Sequence, residues 1–196
     1  MKGYAKKERK MINNQTDSLQ ALSVLLHYPD DDLLSRLDEI ASAADRSHSA
    51  EIKSAVQAYI NYLKTNAPIH VQERYTAAFD MNPATTMNVT YHAYGDTEKR
   101  AAALARLQHN YEQAGWERNT GELPDYLPMM LEFLSICPQP EYTAPVWQCL
   151  RGIQPLVERL KKNEPIYAVL LQPIVNMAVE RCAAVDRCDH PHEAKE

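Results

Sequence analysis

A chain of 196 residues with 45% hydrophobic and 24% charged side chains has the apolar mass for one ordinary domain and lies outside the composition range of disordered proteins. Its formal charge of −5 argues against nucleic acid as a main partner, because phosphate recognition needs a concentrated basic surface. No apolar run approaches the roughly 20 residues that span a bilayer, and no apolar stretch follows the charges of the N-terminus. These features predict a cytoplasmic chain without direct membrane insertion. Cys137, Cys149, Cys182 and Cys188 are too sparse for a disulfide framework, which agrees with a reducing compartment.

Five glycines and the absence of Asn-Gly or Asp-Gly turns leave a hairpin-built sheet without its turn chemistry. Helices are expected instead. Asp17 and Ser18 cap a first helix with Leu19, Leu22 and Leu26 in register, stopped by Pro29. Asp30, Asp31 and Asp32 place negative charge at the start of a second, carrying Leu33, Leu37, Ile40 and Ala44. Ile52, Val56, Tyr59 and Leu63 define a third, and Val71, Tyr75 and Phe79 a fourth that closes at Asp80–Pro83.

Met87 to Tyr94 reads as irregular. From Thr97 a long helix carries Ala101, Leu104, Leu107 and Tyr111 and ends at Gly115. Another begins near Pro124-Asp125 and runs to Cys137. Thr143 to Lys162 forms a helix kinked at Pro155, and a last one from Pro165 is interrupted at Pro173. The expected fold is an all-α single-domain bundle of about eight helices. Residues 1–14 and 181–196 are expected as flexible tails around a helical domain over 15–180.

Little in the sequence specifies catalysis. Cys182, Cys188, His190 and His192 form the only close Cys/His group, but their spacing matches no common zinc pattern, and a polar tail explains them more simply. Phosphate loops and dinucleotide fingerprints are absent. The basic residues Lys2, Lys6, Lys7, Arg9 and Lys10 lack an apolar face and read as a solvated tail.

Between Asn119 and Leu150 there is no Lys or Arg, while Glu122, Asp125, Glu132 and Glu141 occur among Leu123, Tyr126, Met129, Met130 and Phe133. Glu132 lies seven positions after Asp125, so helical phase would bring both carboxylates to one edge of a groove. The Met side chains would adapt to a ligand there. A basic, amphipathic peptide entering as a helix suits such a surface, and an ordinary wet helix face explains the carboxylates equally well.

The run Glu122-Leu123-Pro124-Asp125-Tyr126-Leu127-Pro128-Met129-Met130-Leu131-Glu132-Phe133-Leu134 closely resembles the NarJ/NarW type of molybdoenzyme assembly chaperone, the nitrate reductase delta subunit family. Leu25 to Asp30, Tyr75 to Asp80, His92 to Asp96, Arg100 and Tyr111 to Gln113 match in the same order, so the resemblance covers about residues 19 to 180. It implies an all-helical fold of the redox-enzyme-maturation type, no catalysis and no cofactor. The implied partner is the catalytic (alpha) subunit of respiratory nitrate reductase, held by its N-terminal peptide while molybdenum cofactor is inserted, with cofactor biosynthesis proteins as further partners.

The peptide-contacting residues expected on this footing are Glu122, Leu123, Pro124, Asp125, Tyr126, Pro128, Met129 and Glu132, with His92 and Tyr94. Asp80-Met81-Asn82-Pro83 stands where the family has Asp-Arg-Gly-Arg, and Tyr94 where a second His is common. A chaperone for a dimethyl sulfoxide or trimethylamine N-oxide reductase type of enzyme is therefore the alternative, with a small Cys/His metal-binding protein as the rival from another class.

Overall fold

The computed structural model describes residues 17–117 and 121–188, with side chains through residue 183. Helix α1 spans 17–25 and ends before Pro29 is reached; Leu19 and Leu22 are buried as expected, joined by Leu25, and the expected Leu26 is buried just past the helix end. The second expected helix is broken into α2 (Asp31–Ser35) and α3 (Leu37–Asp45) at Arg36, whose φ/ψ of −105/10 leave the helical region. Asp30 caps α2 by accepting from the Leu33 amide at 2.9 Å, so this acid acts as a cap as well as a dipole partner. Ser49 caps α4 (Ala50–Thr65) in the same way through Ile52.

Helix α5 (Pro68–Tyr75) is opened by a proline. Pro68 occupies the first turn, where no intrahelical amide is lost. The chain then widens into a π turn over Thr76–Asp80, which the Met81 amide closes on the Thr76 carbonyl at 3.0 Å.

The segment expected to be irregular has structure of its own. A short 3-10 turn (Pro83–Thr85) leads to an isolated antiparallel bridge between Asn88 and Tyr126, and then to α6 (Tyr91–Tyr94). α6 ends on Gly95 at φ 58, ψ −155, a conformation that only glycine adopts without strain. Helix α7 (Glu98–Gln113) ends as expected at Gly115 (φ 71). The Gly115 amide donates to Glu112 and the Trp116 amide to Tyr111, at 3.0 and 2.9 Å. This is a Schellman closure, with the Tyr111 and Trp116 rings 5.1 Å apart as its apolar seal.

Helix α8 spans Leu127–Ile136, with Pro128 rather than Pro124 in its first turn. The helix expected over 143–162 is two: α9 (Pro140–Leu150) and α10 (Gln154–Asn163), joined by a 3-10 turn at Arg151–Ile153. Pro155 therefore opens α10 instead of kinking a longer helix, and Pro145 is the proline tolerated inside α9. Helix α11 (Pro165–Cys188) continues through Pro173 and past the expected domain end at residue 180.

α11 packs against α4, α9 and α10 and buries Tyr167, Leu170, Leu171, Ile174 and Ala178 in one continuous core shared with α1, α4 and α8. The arrangement is the expected all-α bundle; among the described residues the backbone pairs as a sheet only at the isolated bridge. No helix over these residues is long and apolar enough to cross a membrane.

Candidate functional site

An apolar groove opens where the loop after α1 meets α5 and the π turn. Its volume is about 400 Å³, and it is lined by the apolar Tyr28, Ile69, Ala77 and Met81 together with Gln72, Glu73 and Thr76. Tyr28, Ile69 and Met81 are 43%, 56% and 76% exposed, so the walls are large apolar side chains held in water. Their neighbours fix them. The Tyr75 hydroxyl donates to the Leu26 carbonyl at 2.9 Å, and Gln72 Nε2 to the Pro29 carbonyl at 3.0 Å, clamping the Tyr28 loop onto α5 from both sides. Tyr28 and Tyr75 meet edge to face at 5.6 Å. The π turn carries the chain outward at Met81, and such one-turn widenings recur at binding sites.

The surroundings of the groove are acidic. Burial and the nearby Tyr126 and Asp80 raise the pKa of the Tyr75 phenol, so it remains a neutral donor. On the Tyr28 side, burial lowers the His27 pKa against the opposing pull of the Glu132, Glu122 and Asp30 carboxylates. The Tyr126 ring lies 5.9 Å from His27. Glu122 and Glu132 are exposed there, two of the expected contact residues brought to one side of the loop. Residues 19–35, 65–98 and 121–150 contain a single Lys or Arg, Arg74, and Glu164 holds its guanidinium at 2.8 Å.

Other expected contact residues are turned inward. Asp125 is fully buried and does not share a helix edge with Glu132, because it precedes α8 and helical phase does not connect the two. Its Oδ2 accepts from the Thr90 amide at 3.0 Å and the Thr90 hydroxyl at 2.5 Å, with Arg100 Nη2 at 3.8 Å. Its carbonyl accepts from Val89, and the Met87 carbonyl accepts from Leu127. Asp125 thereby fastens the 86–90 segment to the start of α8.

Pro124, Pro128 and Met129 are buried, as is Met130. The Pro124 carbonyl accepts from the Tyr111 hydroxyl and the Pro128 carbonyl from Ser23. These methionines fill core rather than adapt to a ligand. Tyr126 is half-buried, while Leu123 and Tyr94 are exposed but do not line the groove.

His92 also lies apart from the groove walls. Its Nε2 is 2.8 Å from the Thr86 carbonyl, which can only accept, so Nε2 carries the proton and Nδ1 accepts from Arg159 at 3.2 Å. Arg159 also donates to the Ala84 carbonyl. The neutral ring is required by both contacts, and burial, backed by the Arg159 charge, lowers its pKa. Since the folded protein then binds this proton more weakly than the unfolded chain, stability is fully present above about pH 6.5 and falls as pH drops below that value. Thermal unfolding followed between pH 7 and 5 is expected to show this loss, and His92→Gln, which has no proton to gain, is expected to flatten part of it. An unchanged pH dependence in the variant would remove His92 as a contributor.

Sequence periodicity does not single out Tyr28, Ile69 and Met81. Tyr28 stands in the matched Leu25–Asp30 run and Met81 in the departure from the family pattern. Ile69 is an isolated apolar residue off the buried Val71 and Tyr75 stripe of α5.

Of the Cys/His group, Cys182 is buried, while the Cys188 side chain, His190 and His192 lie outside the described residues. Within the described residues no cluster of three or more His, Cys, Asp or Glu is placed to hold a metal. Burial pushes the Cys149 thiol up to about 11, which leaves it unreactive.

Residues 45–150 match the nitrate reductase delta subunit family. The chain is 32% identical over 165 residues to a Bacillus subtilis (strain 168) protein named as a nitrate reductase molybdenum cofactor assembly chaperone, across 83% of this chain and 90% of that one. It is 34% identical over 166 residues to the Escherichia coli (strain K12) chaperone of the same name, across 82% of this chain and 69% of the other. A solved structure of a redox enzyme maturation protein from Archaeoglobus fulgidus shares the fold, with TM-score 0.60 and 22% identity over 83% of this chain and 92% of that one.

Proposed function

Because the chain belongs to the nitrate reductase delta subunit family, we propose that it is a non-catalytic assembly chaperone for a nitrate reductase, acting in the cytoplasm on the immature catalytic subunit. Its ligand in this reading is the N-terminal peptide of that subunit, held while molybdenum cofactor is inserted and before the enzyme docks at the membrane. The observation that carries the reading is the groove of Tyr28, Ile69 and Met81, built from the segments 19–35 and 65–98, which hold a single cation, Arg74.

Apolar burial would supply most of the affinity, since walls already held in place lose little entropy on binding. Glu73 in its lining, Asp80 beside Met81, and Glu122 and Glu132 near His27 would attract a basic segment and lose that attraction with salt. Affinity of this kind suits a protein that must release its client after maturation.

Calorimetric titration with a synthetic peptide copying the first residues of a respiratory nitrate reductase catalytic subunit is the direct test. Binding is expected to weaken by less than about tenfold between low and physiological salt, and to be largely lost when the apolar residues of the peptide are replaced by Ser. Absence of binding at any salt concentration would overturn this client. Capture of a dimethyl sulfoxide or trimethylamine N-oxide reductase type of subunit in its place would move the function to that enzyme class.

A further inference from the structure

The acidic groove has a cationic counterpart in the same chain. Lys2, Lys6, Lys7, Arg9 and Lys10 stand against the single acid Glu8 in residues 1–16, interspersed with Tyr4, Met11 and Ile12. The groove is of opposite sign: Glu73 lines it, Asp80 precedes Met81, and the Asp30, Glu122 and Glu132 carboxylates act on His27 next to Tyr28, while the segments 19–35 and 65–98 that build it hold one cation, Arg74, which Glu164 already neutralises. We propose that the basic N-terminal segment of this chain occupies its own Tyr28–Ile69–Met81 groove as a placeholder that a client peptide must displace.

Chain length permits it. α1 runs from residue 17 to residue 25, about 13 Å at 1.5 Å per residue, and Tyr28 of the groove wall follows three residues later. Asp17 therefore lies within roughly 25 Å of Tyr28. Lys10 is seven residues before Asp17 and Lys6 eleven, which gives an extended reach of about 24 and 37 Å. The cationic run can thus lie across the groove, with Tyr4, Met11 or Ile12 available for its apolar walls.

The energetics suit a placeholder rather than a lock. A tethered segment works at an effective concentration in the millimolar range, so even weak contacts keep the groove filled much of the time. The apparent affinity for a competing peptide falls by the fraction of molecules left open. Exposed apolar residues such as Met81 would also be covered before a client arrives.

This inference rests on the groove being the client site, and two measurements on the full chain separate the two ideas. The first treats the unliganded protein with a carbodiimide, which joins an amine to a carboxylate in contact, and maps the products by mass spectrometry. Coupling of Lys6, Lys7 or Lys10 to Glu73 or Asp80 within monomers is expected, together with its loss in Glu73→Gln/Asp80→Asn. Coupling found only in covalent dimers would assign the groove to a second copy and overturn the proposal, as would no coupling at all.

The second compares nitrate reductase peptide binding to the unmodified protein and to Lys6→Glu/Lys7→Glu/Arg9→Glu/Lys10→Glu. The tail variant is expected to bind the peptide about two- to tenfold more tightly. Equal affinities would sink the placeholder while leaving the client reading intact. Intramolecular coupling without peptide binding would do the reverse.

Discussion

Asp125→Ala is expected to destabilise the protein by about 3 kcal/mol or more, because it removes the fully buried carboxylate that Thr90 and Arg100 share. Asp125 has no exposed surface and Arg100 beside it keeps 14%. Removing the carboxylate takes the buried counter-charge from a nearly buried guanidinium, leaving it the exposed Asp96 at 3.9 Å, and leaves the Thr90 amide without its acceptor. Losing one partner of a buried pair costs about 3–5 kcal/mol, and a buried donor left unpaired about 1–3. For a domain of this size the melting temperature should fall by roughly 6 to 12 °C.

Asp125→Asn, which retains an oxygen for Thr90, should cost less than Asp125→Ala. Asp125→Lys should fold worst of all, so weak peptide binding by that variant would report unfolding rather than contact. The exposed Glu132→Lys is the control and should change stability by less than about 0.5 kcal/mol. Chemical denaturation of the four variants checks the order; an Asp125→Ala protein as stable as the Glu132→Lys control would refute the anchoring role.

The second large effect is expected at the groove. Ile69→Glu combined with Met81→Glu should weaken client-peptide binding by about a hundredfold or more, since it replaces two apolar walls with charges that an apolar ligand face must desolvate. Both side chains are more than half exposed, so folding stability should move little. Reversal of a nearby charge in Glu73→Lys should cost less affinity, and that loss should shrink as salt rises. Titration calorimetry paired with circular dichroism separates the cases. A double groove variant that binds as well as the unmodified chain would relocate the site.

The helical class, the core stripe of α4, the Leu107 and Tyr111 positions of α7, though not its exposed Ala101, and the Gly115 closure were determined by the sequence alone. Each depends on spacing within one element or on one residue's backbone freedom, and such information is local. The absence of cations from 119 to 150 was equally legible, as was the family resemblance.

Only the tertiary structure decided what those acids do. Asp125 and Glu132 look alike in sequence, yet one is a buried anchor and the other a surface charge, because Asp125 sits in the turn just before the Asn88–Tyr126 bridge, where its side chain meets Thr90 and Arg100. That choice is made 35 residues away, at Thr90. Proline was ambiguous for a related reason. Pro68, Pro128 and Pro155 open helices and Pro145 and Pro173 lie within them, since a missing amide disrupts a helix only where packing offers no compensation. The groove itself was invisible to periodicity, because Tyr28, Ile69 and Met81 belong to no stripe and meet only when the Tyr75 and Gln72 side chains tie the loop after α1 to α5.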